Sequence, residues 1–238
     1  MSIFFLRKKR RIYLVSFFYF LKRILPISAR AKYRLFLNLE WIFNRLSYEL
    51  SVNMYDYKNH PVVTYRIDFL KKYIKQGHSV VDLGCGNGLV SFLVSDFSKK
   101  VVGIDYNSKA IENAKIKYRK HDVQFYALDA IKFLENNEEK YDVLMLSHIL
   151  EHIDHPKEFL LQYKQYFDHI YIELPDYDGT ILNHFRKDQQ MDLIYTDADH
   201  VSEFDRHAMK AIFSECGIQI LEAEYIFGIQ RYWCKIAH

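Results

Sequence analysis

The sequence has few residues of the kinds that interrupt or cross-link a chain. Its 238 residues include four prolines, eight glycines and three cysteines. With so little proline and glycine, long flexible linkers are not expected. The cysteines, Cys85, Cys216 and Cys234, are odd in number and widely spaced, which argues against a disulfide framework and a zinc ribbon. We therefore expect a reducing, cytoplasmic compartment.

Acidic residues are almost missing from the first 45 positions, which hold 11 Lys/Arg and only Glu40. The other 193 residues hold 22 Lys/Arg and 29 Asp/Glu, so a slightly acidic body follows a strongly basic segment. Five basic residues precede a ten-residue apolar run at 12–21, about half the length of a membrane-spanning helix. A cleaved signal peptide is disfavoured because basic residues crowd its only Ala-x-Ala.

Two readings of this first segment stay open. It is either a helix that packs on the body, or an interfacial helix that makes peripheral membrane contact through residues 3–25. The following segment, 31–50, has the period of an amphipathic helix. We expect its apolar stripe to dock on the body or to cover a site; the stripe consists of Leu35, Leu39, Ile42, Phe43 and Leu46.

From position 79 the chain alternates apolar strands with helices. Strands are predicted at 79–84, 100–105, 122–130, 141–147 and 169–175, and helices at 87–97, 108–120 and 208–217. Such alternation indicates an α/β fold with a doubly wound, mostly parallel sheet. Two β-rich runs separated by Gly228 predict an antiparallel strand pair at the C-terminal end. In these sheets ligands bind at the carboxyl ends of the strands.

A glycine-rich turn, DLGCGNG, follows the first strand and contains Asp82, Gly84, Gly86 and Gly88. Glycines allow the backbone to turn sharply and to approach a ligand closely. Leu89 stands where a dinucleotide fingerprint needs its third glycine, and no Walker lysine follows. Asp105 and Asp129 end the next two strands. Each aspartate alone is explained by a helix cap, but acids at successive strand ends favour a nucleotide site.

The segments VVDLGCGNG (80–88), VVGIDYNSKAIENAK (101–115), VQFYALDA (123–130) and YDVLMLSHILEHIDHP (141–156) resemble class I S-adenosylmethionine-dependent methyltransferases. The resemblance covers about residues 55–238. It implies a Rossmann-like fold, S-adenosylmethionine (SAM) as the cofactor, and a methyltransferase domain at 55–238 behind a helical extension at 1–54. It assigns cofactor contacts to Asp82, Gly84, Cys85, Gly86, Gly88, Asp105, Tyr106, Asp129, Ala130 and Ser147.

Within this assignment, Asp105 is expected at the ribose hydroxyls, Tyr106 beside the adenine, and Asp129 with Ala130 at the adenine edge. Arg66 or Tyr65 is expected to meet the carboxylate of the cofactor.

Three histidines are candidate catalytic residues. The resemblance places His148 and His152 near the expected methyl group and His200 in a substrate-facing insertion. Capping, packing or orienting a loop explains any one of them better than catalysis does. No metal site is expected, because a three-imidazole face needs a helix that is unbroken up to His155, directly before Pro156.

The predicted acceptor is a hydroxyl of a glycan, a lipid-linked substrate or a small molecule. The fourth strand is followed by SHIL and not by the Asn/Asp-Pro-Pro-aromatic run of nucleobase amino-methylating relatives. The acidic body makes nucleic acid a less favoured partner. Two alternatives stay open: a nucleic-acid or protein methyltransferase that uses the basic N-terminus, and a non-catalytic interaction module. The location is either cytoplasmic or peripheral at the inner face of the membrane.

Overall fold

The computed structural model describes residues 13–136, 139–193, 197 and 199–237. The helices are α1 (Tyr13–Ile24), α2 (Ala29–Met54), α3 (Pro61–Tyr73), α4 (Leu89–Val94), α5 (Ser108–Lys117), α6 (Ala130–Glu135), α7 (Pro156–Lys164), α8 (Ile181–Asp188) and α9 (Arg206–Glu215). The strands are β1 (Ser79–Leu83), β2 (Lys100–Asp105), β3 (Val123–Ala127), β4 (Val143–Ser147), β5 (His169–Pro175), β6 (Ile218–Ile226) and β7 (Ile229–Ile236). Short 3-10 helices occur at Tyr57–Asn59, Leu150–His152 and Tyr177–Gly179.

The strands form one seven-stranded sheet in the order β3-β2-β1-β4-β5-β7-β6. The first five strands pair in parallel, and β7 pairs antiparallel with both β5 and β6. This confirms the predicted α/β fold with its antiparallel C-terminal pair and its N-terminal helical extension. The strands β2 and β5 have their predicted bounds, whereas the helix predicted at 87–97 is limited to Leu89–Val94.

The sheet is covered by apolar side chains on both faces, which explains why the sequences of its strands are nearly continuous apolar runs. Val81 and Leu144 belong to one core cluster, and their neighbours Val80 and Val143 belong to the other. Successive residues of a strand point to opposite faces, so each strand contributes to both clusters. Each such side chain contributes about 1.5–3 kcal/mol by burial. The sheet is therefore a rigid support for the loops at its carboxyl edge.

The C-terminal hairpin is fixed by its turn and by a charged pair. Phe227 and Gly228, between β6 and β7, both have positive φ, at 54° and 74°. Positive φ at both central residues suits the two-residue turn that matches the twist of a hairpin. In the register of β5 with β7, Glu173 stands directly opposite Arg231.

The helical extension contacts the body through the side of α2 that carries Leu37 and Glu40. Leu37 is the buried residue of α2, and its carbonyl oxygen accepts a hydrogen bond from Arg186 Nη2 of α8 at 3.1 Å. Arg186 also forms an ion pair with Glu40. The predicted docking stripe is wrong: Phe43 is 60% exposed and Leu46 is also exposed. An amphipathic period identifies an apolar face but not its partner, and here a buried arginine determined which side of α2 docks.

The helix α1 has no buried residue. Its aromatic and aliphatic side chains face outward, and Lys22 and Arg23 lie in its last turn. Residues 3–12 of the predicted membrane-contacting segment lie outside the described residues. Among the helices that the structure describes, none is long and apolar enough to cross a membrane.

Candidate active site

The glycine-rich turn between β1 and α4 is closed on one side and open on the other. Gly84, Gly86 and Gly88 have φ of 73°, 53° and 79°, a region that favours glycine. A Cβ on Gly88 would lie 2.6 Å from the ring of Phe125, whereas a Cβ on Gly86 would meet nothing within 4 Å. The turn is therefore packed against the core at Gly88 and leaves space for a ligand at Gly86.

Asp105, at the end of β2, is bound to that turn. Its Oδ2 accepts a hydrogen bond from the backbone N–H of Gly86, and its Oδ1 accepts one from the N–H of Asn107, both at 2.8 Å. A carboxylate oxygen can accept more than one hydrogen bond, so both oxygens keep capacity for ligand hydroxyls. The next residue, Tyr106, is 93% exposed, and its ring is available to cover a ligand.

Asp82 and Cys85 lie deeper than Asp105. Asp82 is 2% exposed, and its Oδ2 accepts a hydrogen bond from Ser91 Oγ at 2.5 Å. Burial raises the pKa of Asp82 to about 6 in spite of this bond. Burial also raises the pKa of the Cys85 thiol far above its usual range. The described contact of Asp82 is with α4, and a direct cofactor contact of either residue stays a prediction.

Asp129 and Ala130 join β3 to α6. Asp129 is the N-cap of α6, where its Oδ1 accepts a hydrogen bond from the N–H of Lys132 at 3.0 Å. This is the capping role that the sequence allowed as an alternative. The cap engages Oδ1, so a second role for Asp129 at a nucleobase is compatible with it and stays a prediction.

Ser147 ends β4 with a buried hydroxyl. Its Oγ has no hydrogen-bond partner within the part of the chain that the structure describes. Buried polar atoms without partners are rare, because each forfeits its bond to water. A polar ligand at the carboxyl edge of the sheet would satisfy this hydroxyl.

His148 is held between two carboxylates. Its Nδ1 is 2.9 Å from Glu151 Oε1 and its Nε2 is 3.3 Å from Glu173 Oε1, while its backbone adopts a φ of 57°. Burial would lower the pKa of His148, but its bonds with Glu151 and Glu173 outweigh burial and raise the pKa to about 9. A proton is therefore bound at both nitrogens near neutral pH. In this charge state His148 can donate but not accept a proton, and its catalytic role stays a prediction.

Glu173 is the centre of a buried ionic network. It accepts hydrogen bonds from Arg66 Nε at 2.7 Å, from Arg231 Nε at 2.5 Å and from the Tyr171 hydroxyl at 2.7 Å. Burial alone would raise the pKa of Glu173, but Arg66, His148 and Arg231 hold it well below its usual range. Arg66, expected at the cofactor carboxylate, thus has Glu173 as its described partner. The sequence signal for the network was a lone acid inside an apolar strand, which is rarely tolerated unpaired.

His152 and His200 come together although 47 residues separate them. Their ring centroids are 4.9 Å apart, and their planes are nearly perpendicular. His152 Nδ1 is 3.2 Å from the carbonyl oxygen of Asp199, and His200 Nδ1 is 3.0 Å from Glu203 Oε1. The catalytic role of the two histidines stays a prediction.

The described stretch 139–193 has no helix that carries three imidazoles on one face after β4. The helix at Leu150–His152 is a single 3-10 turn, and α7 begins only at Pro156. His148, His152 and His155 therefore do not share one helix.

Comparison with known proteins identifies one family. The family model described as "Methyltransferase domain" matches residues 55–223. The chain is similar to the ribosomal protein L11 methyltransferase of Thermotoga maritima, with 38% identity over 65 residues, which are 27% of this chain and 25% of that protein. It is also similar to the ubiquinone biosynthesis O-methyltransferase of Rickettsia typhi, with 29% identity over 114 residues, 45% of this chain and 46% of that protein. The chain thus spans less than half the length of these curated relatives.

Solved structures share the fold at low identity. The magnesium protoporphyrin IX methyltransferase of Synechocystis PCC 6803 with bound SAH has a TM-score of 0.56 and 16% identity, over 74% of this chain and 82% of that chain. An N-methyltransferase of Bradyrhizobium japonicum has a TM-score of 0.56 and 13% identity, over 76% of this chain and 99% of that chain. At such identities the likeness establishes the common fold.

Proposed function

Because the chain belongs to the methyltransferase domain family, we propose that it transfers a methyl group from SAM to a hydroxyl of a glycan, a lipid-linked substrate or a small molecule. The cofactor of this family is SAM, and solved relatives hold SAM or SAH. Our proposal concerns three further points: the acceptor, the activity of the whole chain, and its location at the cytoplasmic face of a membrane.

The residues at the carboxyl edge fit this cofactor. The open backbone at Gly86, the carboxylate of Asp105 and the unpartnered hydroxyl of Ser147 offer the close approach, the hydroxyl acceptors and the polar contact that such a molecule needs. When bound, SAM supplies a methyl group on a positively charged sulfur. The protein then has to hold the acceptor in line with that methyl group and to exclude water.

One observation carries the choice of a hydroxyl acceptor: His152 and His200 meet directly beyond Ser147, with the buried carboxylate of Glu151 among them. A hydroxyl is a weak nucleophile, so its methylation needs groups that bind the oxygen and help to remove its proton. An amine or a thiolate does not need such a cluster. The similarity to an O-methyltransferase of ubiquinone biosynthesis agrees with this choice.

The outward side chains of α1 support a membrane-surface partner. Phe17, Phe20 and Tyr13 are all exposed, and α1 ends with Lys22 and Arg23. An amphipathic helix with exposed aromatics and basic flanks binds at the headgroup boundary of an anionic bilayer. Such a position would bring the carboxyl edge close to a lipid-linked hydroxyl.

Vesicle flotation tests the membrane contact. The wild-type chain should float with vesicles that contain anionic lipid, and less at high salt. Replacing both Phe17 and Phe20 by Ser should weaken binding at least about tenfold, since each buried aromatic contributes about 1.5–3 kcal/mol. Ile116→Ser on α5 is the matched exposed control. Equal flotation of the double variant and the wild type would reject α1 as the contact.

Transfer of a labelled methyl group from SAM into host lipid, glycan, RNA and protein fractions tests the acceptor. We expect label in the lipid or glycan fraction or in a small molecule, and loss of both label and SAM binding in Asp105→Ala. Asp96→Ala, an exposed aspartate paired with Lys120, is the control that should keep both. Label confined to protein or RNA would replace this proposal by the second reading, and SAM binding without any label would favour the non-catalytic one.

A further inference from the structure

Three side chains that can ligate a metal converge beyond β4. Glu151 and His152 lie in the 3-10 turn after β4, and His200 lies in the segment before α9. One ligand atom of each residue lies within 4.8 Å of the others. Separations of this size leave room for one cation between the three atoms, because metal–nitrogen and metal–oxygen bonds are about 2.0–2.2 Å long.

The carboxylate of Glu151 supplies an independent reason to expect a cation. Glu151 is 1% exposed, and its Oε1 is engaged by His148 Nδ1. Its Oε2 has no hydrogen-bond partner among the residues that the structure describes. A buried carboxylate oxygen without a donor is costly, since it has lost its water without replacement. A bound cation would supply the missing partner.

Both histidines have an oxygen partner at Nδ1, as metal-binding histidines commonly do at one ring nitrogen. A ligating imidazole commonly gives its other ring N–H to a carboxylate or a backbone carbonyl, which fixes its tautomer. The nearly buried pair of His200 Nδ1 with Glu203 Oε1 and the contact of His152 Nδ1 with the carbonyl oxygen of Asp199 have this form. A second group of ligand atoms, from Asp197, Asp199 and His200, lies within the same distance limit.

We propose that Glu151, His152 and His200 bind one divalent transition-metal ion at the acceptor side of the active site. Two imidazoles and one carboxylate are a donor set for Zn²⁺ and for similar first-row ions, and three protein ligands leave positions open for a substrate oxygen. This departs from the expectation that the chain has no metal site. The three ligands come from a 3-10 turn and a distant segment.

The proposed ion gives the histidine cluster its chemical task, and this step rests on the proposed function. The ion binds the acceptor hydroxyl and lowers its pKa, so the hydroxyl proton passes to solvent water. The resulting oxygen attacks the methyl carbon, the new O–C bond forms as the C–S bond breaks, and the bonding electron pair goes to sulfur. The products are the methyl ether and neutral S-adenosylhomocysteine. A separate general base is then unnecessary.

Metal binding to the full-length chain tests the inference without turnover. After removal of metal by a chelator, Zn²⁺ affinity is measured by competition with a chromophoric chelator, and Co²⁺ serves as the spectroscopic probe. The wild type should bind one equivalent. His152→Ala and His200→Ala should weaken Zn²⁺ binding more than tenfold, and Glu203→Gln should weaken it about 10–100-fold through the orientation of His200.

His155→Ala is the matched control, because His155 is an exposed histidine on the same loop outside the cluster. It should bind Zn²⁺ like the wild type. His152 is also exposed, so His152→Ala remains folded even if a change at the more buried His200 does not. Failure of the wild type to bind one equivalent, or unchanged affinity in His152→Ala and in a folded His200→Ala, would overturn the inference.

Methyl transfer in the same preparations separates the two proposals. Stoichiometric Zn²⁺ binding without label in any hydroxyl-bearing fraction supports the metal site and rejects the proposed acceptor. Label that persists in a chelator-treated chain that binds no Zn²⁺ rejects the metal site and supports the proposed function.

Discussion

Replacing Glu173 by Gln should destabilise the protein strongly, because it removes the buried carboxylate that Arg66 and Arg231 share. In the wild type, Glu173 Oε1 accepts a hydrogen bond from Arg66 and Oε2 accepts bonds from Arg231 and Tyr171. Removing one partner of a buried pair costs about 3–5 kcal/mol, and Gln retains part of the hydrogen bonding, so we expect about 3 kcal/mol. For a chain of this size that lowers Tm by about 6–12 °C.

The effect of Glu173→Gln on stability should also depend on pH. The folded-state pKa of Glu173 lies well below the ordinary value of 4.5. Its ionised form therefore contributes stability that is fully present above that pH and is lost as the pH falls below it. The gap in Tm between the wild type and Glu173→Gln should be largest near neutral pH and should narrow on acidification.

Thermal unfolding followed by circular dichroism measures both effects. Glu49→Gln is the matched control: Glu49 forms an exposed pair with Arg45 one helical turn away, and such pairs contribute about 0.3–0.5 kcal/mol. If Glu173→Gln changed Tm as little as Glu49→Gln, or if its gap to the wild type did not narrow in acid, the described network would not carry the stability assigned to it.

Three further substitutions probe the turn and the extension. Folding raises the pKa of Asp82 from 3.8 to about 6, so the contribution of this one group to stability is most favourable below pH 4 and falls by up to about 3 kcal/mol as the pH rises through 6. In urea unfolding, Asp82→Asn should therefore gain on the wild type over this range. Gly88→Ala should lower Tm, because its positive φ and the ring of Phe125 together cost about 1–3 kcal/mol, whereas Gly77→Ala, with open space, should be nearly neutral. Arg186→Met should release α2 from the body, seen as faster tryptic cleavage within α2 while the sheet resists.

The sheet was predictable from the sequence because its strands are buried on both faces. Segments such as KVVGID and HIYIELP are nearly continuous apolar runs, a pattern typical of strands that are covered on both faces. The contact of Asp105 with the glycine-rich turn could be expected from a parallel sheet, since residues that end neighbouring parallel strands lie at one edge. These inferences need only local patterns and one topological rule.

Pairings between distant side chains were not predictable in this way. Glu173 and Arg231 are 58 residues apart, and their contact depends on which strand the C-terminal hairpin joins. The meeting of His152 with His200 joins residues from distant parts of the chain, and no local pattern reveals it. The prediction of the docking side of α2 was wrong for a related reason. Its partner is Arg186 of a distant helix, which an apolar stripe cannot reveal.

The position of Glu173 opposite Arg231 also has a meaning for the way the hairpin joins the sheet. A slip of β7 by one residue turns every side chain to the opposite face, and a slip by two places Arg231 opposite Tyr171 or Pro175. Each misaligned state buries a guanidinium away from the carboxylate. One charged pair inside an apolar sheet thus discriminates among registers that apolar side chains alone would tolerate. Only the native alignment of β7 with β5 places Arg231 opposite Glu173.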